Sequence, residues 1–315
     1  MGVKAYGLVR VDFNNNILYL VCSNNVRKDR KMHDIFYFTD IHGTYDLYRA
    51  IINYCLNEDP ECTIIFGGDA CDRGKDGYKI IKELLNNPQV IYLKGNHEDL
   101  FVRAARELNQ RFKFTDKNRD YLYTRINSLL AFNSKYPDIQ LHLYNGGLET
   151  LVDWICDDMP MDIIDAIDKL PLTFSYEQYD FCHAGGQYKT FKEVADAEYN
   201  HKQANEKSKE NLLWDRTVDI GWAPNRICVH GHTPTIHIRS KYYGKDKSIR
   251  NIHPCAWIGD FFPDKYTGWR LDMDTSAAQS GIIFVFNVLT NEIIQFKRNQ
   301  QDIEIFNKGK IIFNK

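Results

Sequence analysis

The sequence lacks long apolar runs and paired cysteines, and each absence excludes a class of protein. No apolar run approaches the ~20 residues that span a bilayer, so we expect no membrane helix. Asn14, Asn15 and Asn16 divide the apolar residues near the start, which argues against a signal peptide. The eight cysteines form no C-x-x-C pair, which argues against a zinc finger or a disulfide framework. We therefore expect a cytoplasmic protein with reduced thiols.

An excess of charge of one sign is missing as well. Forty basic residues stand against 42 acidic residues, and the formal net charge is −2. No overall field would therefore attract nucleic acid or an anionic membrane, and any attraction for phosphate must be local. With 315 residues, of which 43% are hydrophobic, the chain is long enough to bury one large core or two modest cores. Neither composition nor charge predicts an oligomeric state.

Short apolar runs alternate with helical patterns in the first half of the chain. Strands are predicted at residues 34–39, 63–66 and 90–93. Helices are predicted after each of these strands, at residues 45–57, 76–85 and 98–108. Such alternation is typical of βαβ units in an α/β fold with a parallel sheet.

The second half of the chain is expected to form another sheet. Residues 109–170 are predicted to be mainly helix and loop, with a break at Gly146-Gly147. Strand-like runs then follow at residues 179–182, 227–230, 281–288 and 292–296. We predict that these runs form a second sheet that packs face to face with the first.

Polar motifs follow the three early strands at the points where they end. These motifs are Asp40-Ile41-His42-Gly43, Gly68-Asp69-Ala70-Cys71-Asp72-Arg73-Gly74 and Gly95-Asn96-His97-Glu98. Ligands bind beyond the carboxyl ends of the strands in parallel sheets, so the three motifs should meet at one edge. His183 and Gly231-His232-Thr233-Pro234 come later in the chain. In this order, the motifs predict a two-metal hydrolytic site that handles phosphate.

The motifs supply carboxylate, amide and imidazole ligands for two divalent ions. Asp69 is placed centrally, and we assign it as the carboxylate that bridges both ions. The other predicted ligands are Asp40 and His42 on the first ion, and Asn96, His183 and His232 on the second. No thiolate is required, which favours Mn²⁺, with Fe or Zn²⁺ as alternatives, over Cu(I).

The local charge at this site suits a phosphate dianion. Two divalent ions would outweigh the two ligand carboxylates, and Arg73 and Arg216 would add to the positive excess and bind phosphate. Arg216 could instead be an ordinary surface arginine. Asn96 is predicted to contact the phosphate as well as the metal. A water that bridges the two ions would be largely hydroxide near neutral pH and would attack phosphorus in line, without a phosphoenzyme.

His97 is the predicted general acid. It stands beside the ligand Asn96, where it could protonate the leaving alkoxide. Asp72 would orient His97 and keep it protonated, although it could instead only pair with Arg73. Glu98 is interpreted as a structural partner or a helix N-terminal charge rather than as a catalyst.

Other titratable residues receive no catalytic role. Cys71, Cys182 and Cys228 lie close to predicted ligands, and we interpret them as small apolar filling rather than as redox switches. Five histidines match no ligand position and are interpreted as ordinary, namely His33, His142, His201, His237 and His253.

Together these motifs resemble the calcineurin-like metallophosphoesterases, specifically the PPP-type serine/threonine protein phosphatases in their bacterial and bacteriophage form. The match covers residues 34 to about 297, and Asn145-Gly146-Gly147 and Asp274-Thr275 resemble further bacterial elements. The resemblance implies an αββα sandwich and the two-metal ligand set given above. Two segments of the eukaryotic enzymes, Ser-Ala-Pro-Asn-Tyr and Arg-Ala-His-Gln, are absent, which points to the bacterial or phage branch.

The resemblance also implies roles for individual residues. Arg73 and Arg216 match the arginines that hold phosphate in the family. His97 matches the general acid and Asp72 matches its partner. In related bacterial enzymes a glycine would follow Asp274-Thr275, whereas Ser276 stands there in this sequence.

Both ends of the chain lie outside the family core. Residues 1–31 are predicted to form a β-hairpin extension with a linker, and residues 298–315 a second β-hairpin that turns at Asn307-Lys308-Gly309. The catalytic domain would span residues 32–297. Within it, the aromatic-rich residues 240–272 are predicted to be an insertion, either a packed surface subdomain or a lid that contacts substrate.

The favoured function is a two-metal phosphomonoesterase of the protein-phosphatase kind. It would act on phosphoserine or phosphothreonine, with phosphotyrosine as a further candidate, so its partner would be a phosphoprotein or a phosphopeptide. The same motifs occur in enzymes that act on nucleotides, so the alternative is a dinucleoside polyphosphate hydrolase or an RNA-end or cyclic-nucleotide phosphodiesterase. A binding module without activity is a third hypothesis, which the complete ligand set disfavours.

Overall fold

The computed structural model describes residues 10–12, 17–19, 32–131, 135–216, 222–235, 237, 257–259, 268–299 and 302–310. The strands are β1 (Arg10–Asp12), β2 (Ile17–Tyr19), β3 (Ile35–Phe38), β4 (Thr63–Phe66), β5 (Val90–Tyr92), β6 (Thr173–Tyr176), β7 (Tyr179–Cys182), β8 (Ile227–His230), β9 (Trp257–Gly259), β10 (Trp269–Asp272), β11 (Ile282–Asn287), β12 (Glu292–Arg298) and β13 (Ile303–Lys310). The helices are α1 (Tyr45–Glu58), α2 (Gly77–Asn86), α3 (Asn96–Arg111), α4 (Arg119–Asn127), α5 (Pro137–Tyr144), α6 (Leu148–Cys156), α7 (Met161–Asp168), α8 (Tyr188–Tyr199), α9 (Glu206–Trp214) and α10 (Ala277–Ser280), with a 3₁₀ turn at Ser128–Ala131. Within the described ranges, no helix combines the length and the apolar character that are needed to cross a membrane.

The first sheet is mixed, with the strand order β13-β12-β11-β3-β4-β5. Strands β3, β4 and β5 are parallel, as the alternating pattern predicts. The prediction that residues 281–288 and 292–296 belong to the second sheet is wrong, because they form β11 and β12 and β11 pairs antiparallel with β3. A local apolar pattern predicts a strand but not its partner, since pairing depends on hydrogen bonds and packing with distant segments.

The second sheet has the strand order β6-β7-β8-β10-β9. Strands β7, β8 and β10 are parallel, and β6 and β9 pair antiparallel at the two edges. Strands β9 and β10 come from the range 240–272, which was predicted to be an insertion, so these parts of that range belong to the sheet. Residues 240–256 and 260–267 lie outside the described residues.

The two sheets pack face to face through an aromatic layer. The ring centroids of Tyr37 and Phe181 are 5.3 Å apart, and those of Tyr179 and Phe286 are 5.6 Å apart. Helices α1 to α3 cover the outer face of the first sheet, and α8 and α9 cover that of the second. Full burial of each large apolar side chain contributes about 1.5–3 kcal/mol relative to exposure. The predicted αββα sandwich is therefore confirmed.

The two ends of the chain agree with prediction to different degrees. Strands β1 and β2 pair antiparallel, as expected for the N-terminal hairpin, and the residues of its turn lie outside the described residues. The C-terminal prediction is wrong, because β13 runs as one strand through residues 307–309 and the chain reverses instead between Arg298 and Ile303. A continuous β13 can satisfy the hydrogen-bonding groups of β12, and a register shift between Gln295 and Phe296 absorbs an additional residue.

Candidate metal centre

The carboxyl ends of β3, β4 and β5 meet at one edge of the first sheet, as predicted. Asp40 follows β3, Asp69 follows β4, and Asn96 follows β5. Backbone hydrogen bonds join these ends, since the Asp40 N–H donates to Gly68 O and the His42 N–H donates to Asp69 O, each over 3.0 Å. The sheet therefore brings the four ligands predicted from the early motifs to one place.

The second sheet delivers the two remaining histidines. His183 follows β7, and Gly231 and His232 follow β8. The Gly231 N–H donates to His183 O over 2.8 Å, and the His232 N–H donates to Oδ2 of Asp40 over 3.1 Å. The edges of both sheets are joined at this point. Each of the six predicted ligands is at most 5% exposed, so the structure places all of them in one buried cluster.

Backbone strain is concentrated in the loops that carry these residues. Asp40, His42, Asp69, Asp72 and His232 have φ angles of 55°, 43°, 61°, 68° and 68°. Residues with side chains seldom adopt this left-handed conformation, which costs of order 1–3 kcal/mol at each position. The backbone hydrogen bonds between neighbouring loops hold the strained residues in place. Clustered strain of this kind is typical of a functional site.

His42 presents the lone pair of Nε2 on the side of Asp69, where it accepts from Nη1 of Arg73 in this structure and would be free for a metal ion once that contact opens. Its Nδ1 donates to Cys71 O over 2.9 Å, which leaves Nε2 unprotonated, 3.5 Å from Oδ2 of Asp69. Burial, followed by repulsion from His97, lowers the pKa of His42 to about 3, so the imidazole is neutral. A neutral imidazole whose other nitrogen is held by a carbonyl is the usual form of a metal ligand.

The ligands predicted for the second ion converge on the other oxygen of Asp69. The Oδ1 atom of Asn96 lies 2.9 Å from Nε2 of His183 and 3.0 Å from Nδ1 of His232. Oδ1 of Asp69 lies 3.3 Å from the same His183 nitrogen. The Nδ1 of His183 is 2.9 Å from Gly67 O, which orients this ring as Cys71 O orients His42.

The chemistry of this donor set fits two divalent ions. Oxygen and imidazole donors face Asp69 from two sides, and two groups of potential ligand atoms share its carboxylate, His42 with His97 and His183 with His232. Burial raises the pKa of the Asp40 carboxyl to about 6. The charge of His183 opposes this rise, and the charge of Asp69 adds to it. Two buried carboxylates that disfavour each other's charge are stabilised by a cation between them.

Glu98 is a structural partner, as the sequence interpretation favours. Its carboxylate accepts hydrogen bonds from the N–H groups of Asp69 over 2.8 Å, Ala70 over 2.7 Å and Gly95 over 2.8 Å. The Tyr92 hydroxyl donates to it over 2.8 Å. Because Glu98 lies in the first turn of α3, it fixes the start of that helix against the loop that carries Asp69.

His97 and Asp72 form a buried pair beside the ligands. Nδ1 of His97 lies 2.7 Å from Oδ2 of Asp72, and Nε2 of His97 points towards Asp69, 3.8 Å from Oδ2. Burial alone would lower the pKa of His97, but Asp69 and the hydrogen bond to Asp72 raise it above its usual value. The pair can therefore hold a proton at the edge of the ligand cluster.

Sequence reasoning missed two residues that hold Asp72. Nε2 of His142, from α5, lies 2.9 Å from both oxygens of Asp72, and the Thr150 hydroxyl, from α6, donates to Oδ1 over 2.7 Å. The turn at Gly146-Gly147 joins these two helices, and a Cβ on Gly147 would overlap the His142 ring. In the sequence, the double glycine was the feature that could have indicated this contact. Nothing around His142 marked it as a partner of Asp72.

Replacing Thr150 by Val should lower kcat about tenfold with little change in KM. The change removes a hydrogen bond to a buried charge, and such bonds contribute about 1.5–3 kcal/mol. Steady-state hydrolysis of p-nitrophenyl phosphate measures the effect, with Thr190→Val, a buried threonine in α8, as the matched control. Equal kinetics for the two variants would show that Thr150 does not support Asp72.

The two predicted phosphate-binding arginines lie at the same cluster. Arg73 places Nη1 2.7 Å from Nε2 of His42 and Nη2 3.0 Å from Nε2 of His97. Arg216 donates from Nη1 to His232 O over 3.0 Å. This hydrogen bond attaches Arg216 to the loop that carries the predicted ligand His232. The contact favours a role at the site over the alternative of an ordinary surface arginine. Both guanidinium groups can face an anion at the ligand cluster.

Gly231 allows the ligand loop after β8 to approach Asp40. A Cβ at this position would overlap Oδ2 of Asp40. Gly231→Ala should therefore weaken Mn²⁺ binding about 10- to 100-fold, the usual effect of disturbing the surroundings of a metal ligand. Isothermal titration calorimetry tests this, with Thr233→Ala as the control because the Thr233 hydroxyl has no partner among the described residues. Unchanged affinity in Gly231→Ala would contradict the assignment of Asp40.

The three cysteines near predicted ligands are buried, as expected for apolar filling. Cys71 is fully buried in the core beneath the first sheet, and Cys182 and Cys228 are fully buried under α8 and α9. Burial raises the pKa of the Cys71 and Cys228 thiols well above the usual range, so these two thiols stay protonated.

Comparison with known proteins gives a family and several distant structures. The model of the family described as calcineurin-like phosphoesterase matches residues 33–256. A proposed diadenosine tetraphosphatase shares 13% identity, with 84% of this chain and 92% of that chain covered and a TM-score of 0.49. A cold-active protein-tyrosine phosphatase of a psychrophile, Shewanella sp., shares 13% identity over 93% and 87% of the two chains, with a TM-score of 0.44. A protein serine/threonine phosphatase from Saccharomyces cerevisiae shares 15% identity over 90% and 81%, with a TM-score of 0.42.

No curated protein matches the chain. The family match spans more than two thirds of the sequence and contains every predicted metal ligand. The protein therefore belongs to the calcineurin-like phosphoesterases, a family of metal-dependent phosphoester hydrolases.

Proposed function

We propose that the protein is a two-metal phosphomonoesterase that dephosphorylates phosphoserine and phosphothreonine in proteins, with phosphotyrosine as a further substrate. The observation that carries this proposal is the buried His97–Asp72 pair beside the metal ligands and two arginines. A general acid matters most when the leaving group is a poor one such as an alkoxide. Two guanidinium groups suit the two charges of a phosphate monoester.

Each residue has a distinct task in this reaction. Divalent ions bound by the six ligands would polarise the phosphate and lower the pKa of water. Arg73 and Arg216 would bind the phosphate oxygens. Nη2 of Arg73 lies 3.0 Å from Nε2 of His97, so a phosphate that takes the guanidinium away from this nitrogen would bring its ester oxygen to the same place. His97 would give this oxygen a proton while Asp72 holds the ring from Nδ1.

The first test compares p-nitrophenyl phosphate with bis-p-nitrophenyl phosphate, in metal-free buffer and with added Mn²⁺, Zn²⁺ or Fe²⁺. We expect hydrolysis that depends on metal, is fastest with Mn²⁺ and strongly favours the monoester. Comparable or faster hydrolysis of the diester would contradict the proposal and favour nucleotide or RNA-end chemistry. Absence of hydrolysis with every metal would favour a binding module.

Arg216→Ala should raise KM for phosphorylated substrates about 10- to 100-fold. The magnitude follows from losing a hydrogen bond between charged groups, which contributes about 1.5–3 kcal/mol. Bound Mn²⁺ should stay the same, because Arg216 donates to the backbone carbonyl of His232 and not to its imidazole. Arg49→Ala, which removes an exposed arginine from α1, is the control. If KM and kcat of Arg216→Ala equal those of the unchanged protein, Arg216 does not bind phosphate.

A further inference from the structure

A cleft of about 810 Å³ is lined by residues on both sides of Asn96 in the chain and by the end of α9, and its size is within the range of ligand sites. Lys94 and Asp99 line one side and stand just before and just after the ligand Asn96 in the chain. Trp214 lines the other side, and its ring centroid is 6.0 Å from that of His232. The cleft is thus bounded by two segments. One carries the predicted metal ligand Asn96, and the other carries the predicted phosphate-binding Arg216.

The charges that line the cleft are almost balanced. Four basic and five acidic side chains face it, so it has no positive excess. A polyanion such as RNA or a dinucleoside polyphosphate would gain no net electrostatic attraction there. A polypeptide, in contrast, offers neutral amides and side chains of both signs, which such a surface can match.

Two charges at the rim are available to a ligand. Lys94 is engaged by Asp168 over 3.1 Å, and Lys209 pairs with Glu206 over 3.1 Å. Lys202 and Glu210 are exposed. Within the described part of the chain, neither has an ion-pair partner within 4.0 Å, so each can meet an opposite charge on a bound chain.

We propose that this cleft holds the polypeptide that flanks the phosphorylated residue. The proposal rests on the proposed phosphatase function and adds its substrate class and its specificity-determining residues. With the phosphate at Arg216, the substrate chain passes over Trp214 into the cleft. Its neighbouring side chains then meet Lys202 and Glu210, which select residues of opposite charge.

Charge reversal tests this selection in the full-length, Mn²⁺-loaded enzyme. Two phosphoserine peptides are compared that differ only in carrying Lys or Glu at the positions around phosphoserine. Glu210→Lys should shift the ratio of kcat/KM about 2- to 5-fold towards the Glu peptide, and Lys202→Glu should shift it by a similar factor towards the Lys peptide. Both shifts should shrink in 1 M salt, because exposed charges are then screened. Hydrolysis of p-nitrophenyl phosphate should not change.

Matched controls separate the cleft from the general surface charge. Asp196→Lys and Lys192→Glu make the same kinds of change on exposed residues of α8 outside the cleft, and they should leave the peptide ratio unchanged. A steric test is Ala204→Trp, which narrows the cleft and should slow peptide turnover at least about tenfold by preventing entry. The exposed charge reversals keep the proposal testable if the tryptophan variant fails to fold.

The outcomes distinguish this inference from the proposed function. Absence of Mn²⁺-dependent hydrolysis of p-nitrophenyl phosphate would overturn the proposed function. Hydrolysis of that compound with peptide ratios that ignore both charge reversals would overturn the cleft inference alone. Faster turnover of diadenosine tetraphosphate than of any peptide, lowered by Lys202→Glu, would place a nucleotide in the cleft and also overturn the inference.

Discussion

Replacing Asp69 by Asn should reduce the hydrolysis of p-nitrophenyl phosphate at least about 10³-fold and abolish the binding of two Mn²⁺ ions. The two oxygens of Asp69 face different ligands, Oδ2 at 3.5 Å from His42 and Oδ1 at 3.3 Å from His183. An amide keeps one oxygen but turns an N–H₂ group towards the other side, so it cannot bridge. Metal ions contribute several kcal/mol to such reactions, and each 1.36 kcal/mol is a factor of ten.

Bound metal and thermal stability provide independent measurements of this variant. Mn²⁺ that binds the folded state raises the melting temperature of the unchanged protein, and this increase should be lost in Asp69→Asn. The control is Asp162→Asn, which alters an exposed carboxylate of α7 and should keep both activity and the thermal shift. An Asp69→Asn protein that still binds two ions and retains activity within tenfold would show that another group bridges them.

Replacing His97 by Asn should lower kcat about 10²- to 10⁴-fold, the usual contribution of a general acid. The loss should be larger for a phosphoserine peptide than for p-nitrophenyl phosphate, because p-nitrophenolate leaves readily without a proton whereas an alkoxide does not. Bound Mn²⁺ should remain the same, since Asp72 holds His97 at Nδ1 and the proposed ligands are six other residues. Parallel kinetics on the two substrates measure this difference directly.

The structure also provides the competing explanation that this experiment can detect. Nε2 of His97 lies 3.8 Å from Asp69 and belongs, with His42, to one of the two groups of potential ligand atoms. If His97→Asn loses metal in proportion to activity, His97 is a ligand rather than the acid. His201→Asn, an exposed histidine away from the site, controls for the loss of an imidazole.

The sequence was most informative for residues that belong to a predicted site and also follow directly on a predicted strand. The strands that end before Asp40, Asp69 and Asn96 follow from short apolar runs, and the helices after them from their periodicity. Parallel strands share one ligand edge, so the motifs could be placed together without coordinates. The structure brings all six predicted ligands to that edge, together with His97 and Asp72.

Contacts between distant segments were much harder to predict. His142 and Thr150 lie 70 and 78 residues from Asp72 in the chain, and nothing in the sequence near Asp72 indicates that they hold it. Residues 307–309 suggested a turn by composition, yet pairing with β12 keeps them in one strand. Here the hydrogen bonds to a neighbouring strand outweigh a local preference.

The sequence by itself therefore determined which residue types are candidate ligands, their order and their position at strand ends, because these depend on local periodicity and on the chemistry of single residues. Only the tertiary structure decided that β11 to β13 extend the first sheet, that β10 lies beside β8, and that a cleft with almost balanced charges is lined by Lys94, Asp99 and Trp214. Strand pairing and cleft shape depend on which distant segments of the chain pack against one another and bury their apolar side chains. That choice is made by the packing of the whole chain rather than by any one segment.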